Sequence, residues 1–301
     1  MRLKLYYTDT FPIPLPEQHS FPSDKYALLR HRLTAYFADR IDLQIPSPVC
    51  DGAILRAHSA SYFHRFASGN LTDKEIRRVG LPWSKQIVKR TRYSVGATIA
   101  ACRTALEKGS AANLGGGTHH AGRDHGRGFC WLNDSVIAAR AMQAAHLAER
   151  IMVVDCDVHQ GNGTAAIVED DPSIFTFSIH GKKNYPYRKA ISDLDIELED
   201  GTDDAVYLKS LENGLNTALD QFRAHLVIYL AGADPYRKDR FGRLSLTKAG
   251  LAQRDRMVLT FTQQYGIPVA VTMAGGYAPD VGDIVDIHLG TIRTLLDIIR
   301  P

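Results

Sequence analysis

An Asp-x-Asp-x-His run, formed by Asp155, Asp157 and His159, contains residue types that are well suited to chemistry. It directly follows the apolar segment IMVV, residues 151–154. Alternate residues of an extended segment point to the same side, so the two carboxylates and the imidazole can lie together. Acidic residues could instead only solvate the strand end, but unpaired charges beside so apolar a segment would be costly. The pattern therefore favours a metal site.

A third metal ligand is available after a second apolar segment. Asp234 follows HLVIYLAGA, residues 225–233. Taken alone, an aspartate in a Gly-Ala-Asp-Pro segment is more often a turn residue than a ligand. Beside Asp157 and His159 it would complete a set of three protein ligands.

Two adjacent histidines, His119 and His120, follow three glycines at residues 115–117. The segment lacks the Gly-Lys-Ser/Thr ending of a phosphate-binding loop, so nucleotide binding has no support. Adjacent histidines alone are only a weak indication of catalysis. Beside a metal and a carboxylate, however, a neutral imidazole is the usual proton acceptor near pH 7.

Tyr277 ends the segment AGGY, which follows the apolar run IPVAVTM. On its own this tyrosine would be read as the surface residue of a plain turn. At the carboxyl end of a core strand, its phenol could instead donate a hydrogen bond to a developing oxyanion.

The elements that must position these residues alternate along the chain. Apolar β-type runs cover Leu3 to Tyr7, Ile151 to Asp155, Ile174 to Ile179, Leu226 to Leu230 and Val269 to Met273. Apolar residues at helical spacing cover Trp83 to Lys108, Asn133 to Arg150, Tyr207 to Ala224 and Lys248 to Tyr265. Long loops are expected from Pro12 to Pro22 and from Gly181 to Gly201. The alternation predicts a single three-layer α/β domain with a mainly parallel, doubly wound sheet and a site at the carboxyl ends of its strands.

The composition is that of an ordinary globular protein, which excludes the disordered and fibrous classes. The 301 residues are 45 % hydrophobic and 23 % charged, and we expect one domain over residues 1–301. Lys+Arg 36 against Asp+Glu 33 leaves a net charge of only +3, with the basic residues scattered, so nucleic-acid binding is not expected. No apolar run reaches the ~18 residues of a membrane span, and the N-terminus has no signal-peptide core. We therefore expect a cytoplasmic protein without membrane contact.

The cysteines do not form a recognisable metal or disulfide pattern. All four are far apart, with no Cys-x-x-Cys pair: Cys50, Cys102, Cys130 and Cys156. We expect them to be buried free thiols.

Four motifs, in the order of the chain, resemble the zinc-dependent histone deacetylase family, which includes acetylpolyamine amidohydrolases and acetoin-utilisation proteins. They are GGGTHHAGRDHGRGFCWLND, VVDCDVHQGNG, AGADPYRKDRFGRLSLT and AGGY, spanning Gly115 to Tyr277. The segments HSFPSDKYALLRHRL and RRVGLPWSKQIVKRTRYSVG further resemble the class IV branch and its bacterial relatives. The resemblance implies an arginase/deacetylase-like fold.

The resemblance also implies roles for individual residues. The implied zinc ligands are Asp157, His159 and Asp234, and the implied catalytic residues are His119, His120, Tyr277 and Asp155, the last as the partner of His119. A structural K⁺ or Na⁺ would be held by Asp155, Ser178 and the backbone carbonyls of Asp157, His159 and Ile179. Phe129, beside Gly128, and Tyr185 match the two aromatic walls of an acyl-lysine tunnel, although both could be ordinary core residues.

The sequence departs from the commoner family pattern at two places. Many members have an aspartate where this chain has Asn162, as in the class IV branch. An amide can orient His120 but cannot stabilise its cation as a carboxylate would. The tunnel segment GKKNYPYRKA also lacks a glycine-rich turn after its aromatic-Pro pair.

Together these features predict a metal-dependent amide hydrolase that removes an acetyl or longer fatty acyl group from a lysine side chain or similar amine. The substrate would be an acylated protein, peptide or polyamine. The oxygen-rich Asp₂His ligand set suits Zn²⁺ or Fe²⁺. Two alternatives remain: an arginase-like binuclear manganese hydrolase, which would need bridging carboxylates, and a non-catalytic acyl-lysine binding protein. No oligomeric state is predicted.

Overall fold

A computed structural model describes residues 2–298 of the chain. Its framework is one eight-stranded sheet in the order β2-β1-β3-β8-β7-β4-β5-β6, with every pairing parallel. The strands are β1 (Leu3–Tyr6), β2 (Ile41–Gln44), β3 (Ser110–Asn113), β4 (Ile151–Asp155), β5 (Ile174–Gly181), β6 (Leu194–Leu198), β7 (Leu226–Leu230) and β8 (Val269–Thr272). The expected parallel α/β architecture is confirmed.

Ten helices connect and cover these strands in the part of the chain that the structure describes. They are α1 (Lys25–Phe37), α2 (Asp51–Ile54), α3 (Ala60–Ser68), α4 (Asp73–Val79), α5 (Lys85–Lys108), α6 (Asp134–Ala144), α7 (Asn162–Val168), α8 (Asp204–Gln221), α9 (Lys248–Gln264) and α10 (Val281–Ile298). Helices α1, α8, α9 and α10 share one apolar core, and α2 to α7 share a second.

The sheet separates the two cores because alternate residues of each strand face opposite layers. In β4, Met152 and Val154 belong to the core with α8 to α10, whereas Ile151 and Val153 belong to the other. Every residue of β4, β7 and β8 is buried, as expected for strands covered on both faces. The three helix-sheet-helix layers are therefore confirmed.

Three central strands end at the same level of the sheet. Asp155, the last residue of β4, pairs with Leu230, the last of β7, and Leu230 pairs with Thr272, the last of β8. The segments that follow these strands consequently open at one edge, which is where open α/β sheets form their sites.

Some of the predicted elements are wrong in detail. The expected loop from Gly181 to Gly201 contains β6, whose sequence LDIEL has the alternation of an edge strand. Strands β2 and β3 were not predicted; β3 is the short, small-residue segment SAAN. The helix expected as far as Arg150 ends at Ala144, just before His146, which has a positive φ of 55°.

The thiol prediction is correct for three cysteines and wrong for one. Cys102, Cys130 and Cys156 are buried free thiols, whereas Cys50 is exposed because it precedes the short surface helix α2. Within residues 2–298, none of the helices combines the length and the apolar character that crossing a bilayer would require.

Candidate active site

Asp157, His159 and Asp234 form a compact buried cluster at the carboxyl edge of the sheet. Each offers a ligand atom within 4.8 Å of the other two. The Nδ1 atom of His159 lies 2.9 Å from Oδ1 of Asp157 and 3.2 Å from Oδ2 of Asp234. Asp157 and His159 follow β4 and Asp234 follows β7, so the level ends of these two strands bring the cluster together.

Backbone groups hold both carboxylates of the cluster in place. Gly275 N donates to Oδ2 of Asp157 over 2.8 Å, and Val158 N donates to Oδ1 of Asp234 over 2.9 Å. Oδ2 of Asp234 is buried and accepts no well-formed hydrogen bond from the described residues, because its neighbour Nδ1 of His159, 3.2 Å away, is directed to Oδ1 of Asp157. A buried carboxylate oxygen without a donor calls for a cation. The donor set therefore fits a metal ion.

The electrostatics of the cluster also favour positive charge. Burial lowers the pKa of His159, but the carboxylates of Asp157 and Asp234 outweigh it and raise that pKa to about 10. Burial and the neighbouring Asp157 together raise the pKa of Asp234 to about 7. Two carboxylates at this depth need either a proton or a metal ion between them.

His119 and His120 lie next to the cluster with their ring centroids 4.1 Å apart. Nδ1 of His119 donates to Oδ2 of Asp155 over 2.6 Å, and Nδ1 of His120 donates to Oδ1 of Asn162 over 2.7 Å. Both pairings expected from the resemblance are thus present as contacts. The Nδ1 donation leaves Nε2 of His120 as the atom with the free lone pair.

The surroundings of the two histidines shift their pKa values in opposite directions. Burial lowers the pKa of His119, but Asp155 and Asp157 outweigh it and raise the pKa to about 9. For His120, burial and the neighbouring His119 and His159 hold the pKa well below its usual range. His119 is therefore suited to carry positive charge, and His120 is suited to accept a proton.

Tyr277 lies on the loop after β8 and faces the same site. Its ring centroid is 6.4 Å from that of His159 and 5.1 Å from that of Phe241. Burial, reinforced by Asp157 and Asp234, raises the pKa of Tyr277 well above its usual range. The phenol therefore stays neutral and remains a hydrogen-bond donor.

Gly128, Phe129 and Tyr185 lie around the opening of the site. The ring centroid of Tyr185 is 4.8 Å from that of His120, and that of Phe129 is 5.7 Å from that of Tyr277. Gly128 has a positive φ of 53°, and a Cβ there would lie 2.6 Å from Cδ2 of His120. All three residues line an open cavity of about 580 Å³ that leads to His120, His159 and Tyr277.

Two side chains of the predicted monovalent-cation site lie on neighbouring strands. Asp155 of β4 pairs in register with Ser178 of β5, and Ile179 follows Ser178. Oγ of Ser178 also lies 3.0 Å from Nδ1 of His180. The binding of K⁺ or Na⁺ by Asp155, Ser178 and the carbonyls of Asp157, His159 and Ile179 stays a prediction.

Asp134 is a buried charged residue that supports the site and was not identified from the sequence. Oδ2 of Asp134 accepts from Gly117 N over 3.0 Å and its Oδ1 accepts from Thr118 N over 2.7 Å, which holds the turn before the histidines. The glycines are needed there because a Cβ on Gly117 would lie 2.6 Å from Cα of Ala274. The only local signal for Asp134 is its place at the end of the glycine-histidine motif.

Lys25 and Asp239 hold the loop that carries Tyr277. Nζ of Lys25 lies 3.4 Å from the carbonyl oxygen of Ala274 and 3.3 Å from that of Gly276. Oδ2 of Asp239 accepts from Tyr277 N over 2.6 Å. Lys25 is separated from this loop by most of the chain, so no local spacing points to it.

Arg254, on α9, lies behind the cluster of Asp157, His159 and Asp234 and is fully buried. Its guanidinium donates to the carbonyl oxygens of Cys156 over 3.3 Å and Gly232 over 2.5 Å. It also pairs with the buried carboxylate of Asp255 at 2.8 Å. Arg254 thereby joins the two segments that supply Asp157 and Asp234.

Known proteins share extensive sequence similarity with this chain. Residues 19–291 match the histone deacetylase domain. The chain is 43 % identical to an uncharacterized protein of Picosynechococcus sp., over 99 % of this chain and 100 % of that protein. It is 29 % identical to a histone deacetylase-like amidohydrolase of Pseudomonas aeruginosa, over 79 % of this chain and 67 % of that protein.

A solved structure supports the fold independently of close sequence similarity. The crystal structure of an acetylpolyamine aminohydrolase from Burkholderia pseudomallei superposes with a TM-score of 0.80 at 17 % identity. The match covers 97 % of this chain and 98 % of that one. From the domain match over residues 19–291, we conclude that the chain belongs to the histone deacetylase family.

Proposed function

We propose that residues 1–301 form one catalytic domain that hydrolyses an acyl amide, releasing a free amine and a carboxylate. The acyl group is an acetyl or longer fatty acyl chain on a lysine side chain or similar amine. The observation that carries the proposal is the placement of a low-pKa histidine, His120, beside the cluster of Asp157, His159 and Asp234, with the neutral phenol of Tyr277 facing both.

Asp157, His159 and Asp234 would hold one transition-metal ion, Zn²⁺ or Fe²⁺. When bound, such an ion lowers the pKa of water to about 7 and polarises a carbonyl group. Among the described residues this is the one group of three metal-ligating side chains so placed, which favours a single ion over the binuclear arrangement of an arginase-like enzyme.

His120 is the residue proposed to move the proton. Its Nε2 accepts a proton from the attacking water and returns it to the leaving amine. The hydrogen bond from Nδ1 to Asn162 keeps the ring in the tautomer that this transfer needs. His119, paired with Asp155, supplies positive charge near the developing negative charge.

Tyr277 is proposed to donate a hydrogen bond to the carbonyl oxygen of the substrate as negative charge develops there. Phe129 and Tyr185 are proposed as the aromatic walls of the passage through which the acyl-amine reaches the site. A second cavity of about 80 Å³ shares His120, Phe129 and Tyr277 with the first. Its lining includes apolar residues such as Ile13, Leu81 and Ile87 together with the polar Arg90 and Ser94. This cavity is the proposed place for the end of an acyl chain.

The experiment that tests the proposal is a hydrolysis assay on peptides that differ only in acyl chain length. The metal-loaded protein should release free lysine amine from at least one of them, and elemental analysis should find one transition-metal ion per chain. Two bound manganese ions would favour the arginase-like alternative. Tight binding of the peptides without any turnover would favour a non-catalytic acyl-lysine binding protein.

A further inference from the structure

Basic side chains from separate loops surround the opening of the site. We name Arg127, Lys183, Arg240 and Arg243 the rim. The last three line the open cavity that leads to His120 and Tyr277. The guanidinium carbon of Arg127 lies 4.9 Å from the ring centroid of Tyr185, which itself lines the cavity. The charges therefore stand where the part of a substrate outside the acyl passage must lie.

The rim carries more positive charge than its carboxylate neighbours neutralise. Nη1 of Arg243 and Nζ of Lys183 lie 3.1 and 3.9 Å from the same oxygen of Asp200. No carboxylate of the described residues lies within 4.0 Å of the charged group of Arg127 or Arg240. Within 4.0 Å the rim thus has four cationic groups and one paired carboxylate. The charge of Glu199 also acts on Lys183, but that carboxylate is itself paired with Lys182 at 2.8 Å.

Asp239, the acidic residue nearest Arg240 in the chain, does not offset this charge. Its carboxylate accepts from three backbone N–H groups: Phe241 over 2.9 Å, Gly242 over 3.0 Å and Tyr277 over 2.6 Å. These bonds turn it inward, where burial raises its pKa. None of the residues lining the open cavity is acidic.

We propose that the preferred substrate is an acyl-lysine in a peptide whose flanking residues carry carboxylates. The proposal rests on the proposed function and gives its substrate class. Flanking carboxylates would meet the unpaired rim cations, whereas a lysine-rich peptide or an acylated polyamine would bring further positive charge to the opening. Such a charge distribution also steers acidic substrates toward the site.

The test compares peptides of equal length that share one acyl-lysine and differ only in their flanks. One peptide has Asp and Glu on both sides, one has Lys and Arg, and an N-acetylated polyamine is the third substrate. With the metal-loaded full chain at low ionic strength, kcat/KM should be about tenfold higher for the acidic peptide, mainly through KM. The difference should shrink at 0.15 M salt, where the screening length falls to about 8 Å. Equal rates, or faster hydrolysis of the basic peptide or the polyamine, would overturn the proposal.

Variants locate the effect at the rim. Arg240→Glu should reduce the preference for the acidic peptide, and Asp200→Asn should increase it because it removes the carboxylate that Lys183 and Arg243 share. Arg103→Glu is the matched control, since Arg103 is exposed near the end of α5, which precedes β3. This places Arg103 near the amino ends of the strands, whereas the site lies at their carboxyl ends. If Arg103→Glu changed the preference as much as Arg240→Glu, net charge and not the rim would be responsible.

A binding measurement separates this proposal from the proposed function. Fluorescent versions of the two peptides are titrated with the protein, and Kd is measured at both ionic strengths. If none of the substrates is hydrolysed, the proposed function fails while the Kd ratio still decides between acidic and basic flanks. If hydrolysis occurs with a Kd ratio near one, the substrate class is wrong and the hydrolase remains.

Discussion

The charged residues at the bottom of the site, here called the floor, are buried, whereas the charged residues of the rim are exposed to solvent. The floor consists of Asp155, Asp157, His159 and Asp234, each less than a tenth exposed. At the rim, by contrast, the side chains of Lys183 and Arg243 are 61 % and 53 % exposed. A buried charge must have a specified partner because desolvation costs several kcal/mol, whereas an exposed charge is tolerated almost anywhere. Substitutions at the floor should therefore have large effects on metal binding, stability or catalysis, and substitutions at the rim should alter substrate preference alone.

The largest effect is expected for Asp157→Ala. The two remaining ligands cannot hold a metal ion that keeps an open coordination position, so both bound metal and activity should be lost. Elemental analysis and the acyl-peptide assay measure the two losses, with the exposed Asp220→Ala as the control. Retention of one metal ion per chain would show that Asp157 is not a ligand.

Arg254→Met should be the next most damaging substitution. It leaves the carboxylate of Asp255 buried without its cation and removes the donors to the carbonyls of Cys156 and Gly232. Breaking a buried pair in this way costs about 3–5 kcal/mol, which denaturant unfolding should detect. Arg256→Met, two residues along the same helix and exposed, should be close to neutral. Equal stability of the two variants would show that Arg254 does not stabilise the fold by joining the segments of Cys156 and Gly232.

Tyr277→Phe should leave folding and metal content intact while reducing turnover by about 10² to 10³, the usual effect of losing one oxyanion donor. Steady-state kinetics on the best acyl peptide measure this effect. Tyr265→Phe is the control, because Tyr265 is 52 % exposed at the end of α9. Unchanged turnover in Tyr277→Phe would show that the phenol has no catalytic role and that Tyr277 is an ordinary turn residue.

Asn162→Asp should shift the pH profile of kcat/KM. A negative charge 2.7 Å from Nδ1 of His120 favours the imidazolium and raises its pKa, so the base is protonated already at a higher pH. The acidic limb should move upward by about one pH unit. Asn216→Asp, at an exposed site on α8, should leave the limb in place.

The attacking water and His120 would titrate as a coupled pair, so the Asn162→Asp profile is repeated on protein reconstituted with cobalt. A shift that survives the exchange belongs to His120. A limb that stays in place or moves to lower pH would refute the pairing of His120 with Asn162.

The smallest effect on stability is expected at the rim. Arg240→Glu should change the free energy of unfolding by no more than about 0.5 kcal/mol, because Arg240 is exposed and has no carboxylate partner among the described residues. Denaturant unfolding of this variant beside Arg254→Met compares the rim with the buried interior directly. If Arg240→Glu lowered the free energy of unfolding by several kcal/mol, the rim would not differ from the buried interior in its contribution to stability.

Much of the site was predictable because its residues follow strongly apolar strands. The segments IMVV, LVIYL and VAVT are buried on both faces, and parallel strands end at one edge, so Asp157, His159, Asp234 and Tyr277 converge there. The pairing of His120 with Asn162 followed from the family resemblance. Edge strand β6 and the short strand β3 were missed because one is mostly half-buried with charged residues and the other consists of small residues.

What only the tertiary structure decided is the set of long-range partners. Lys25 reaches the Tyr277 loop, Arg254 joins the segments of Cys156 and Gly232, and Asp134 holds Gly117 across distances in sequence that leave no periodic pattern. The rim could not be predicted from the sequence for the same reason. Its basic residues are scattered along the chain and lie near one another only because their loops are all at the carboxyl ends of the strands. Spacing in the sequence reports residues that share an element, whereas hydrogen bonds and charge between distant segments depend on how the elements pack.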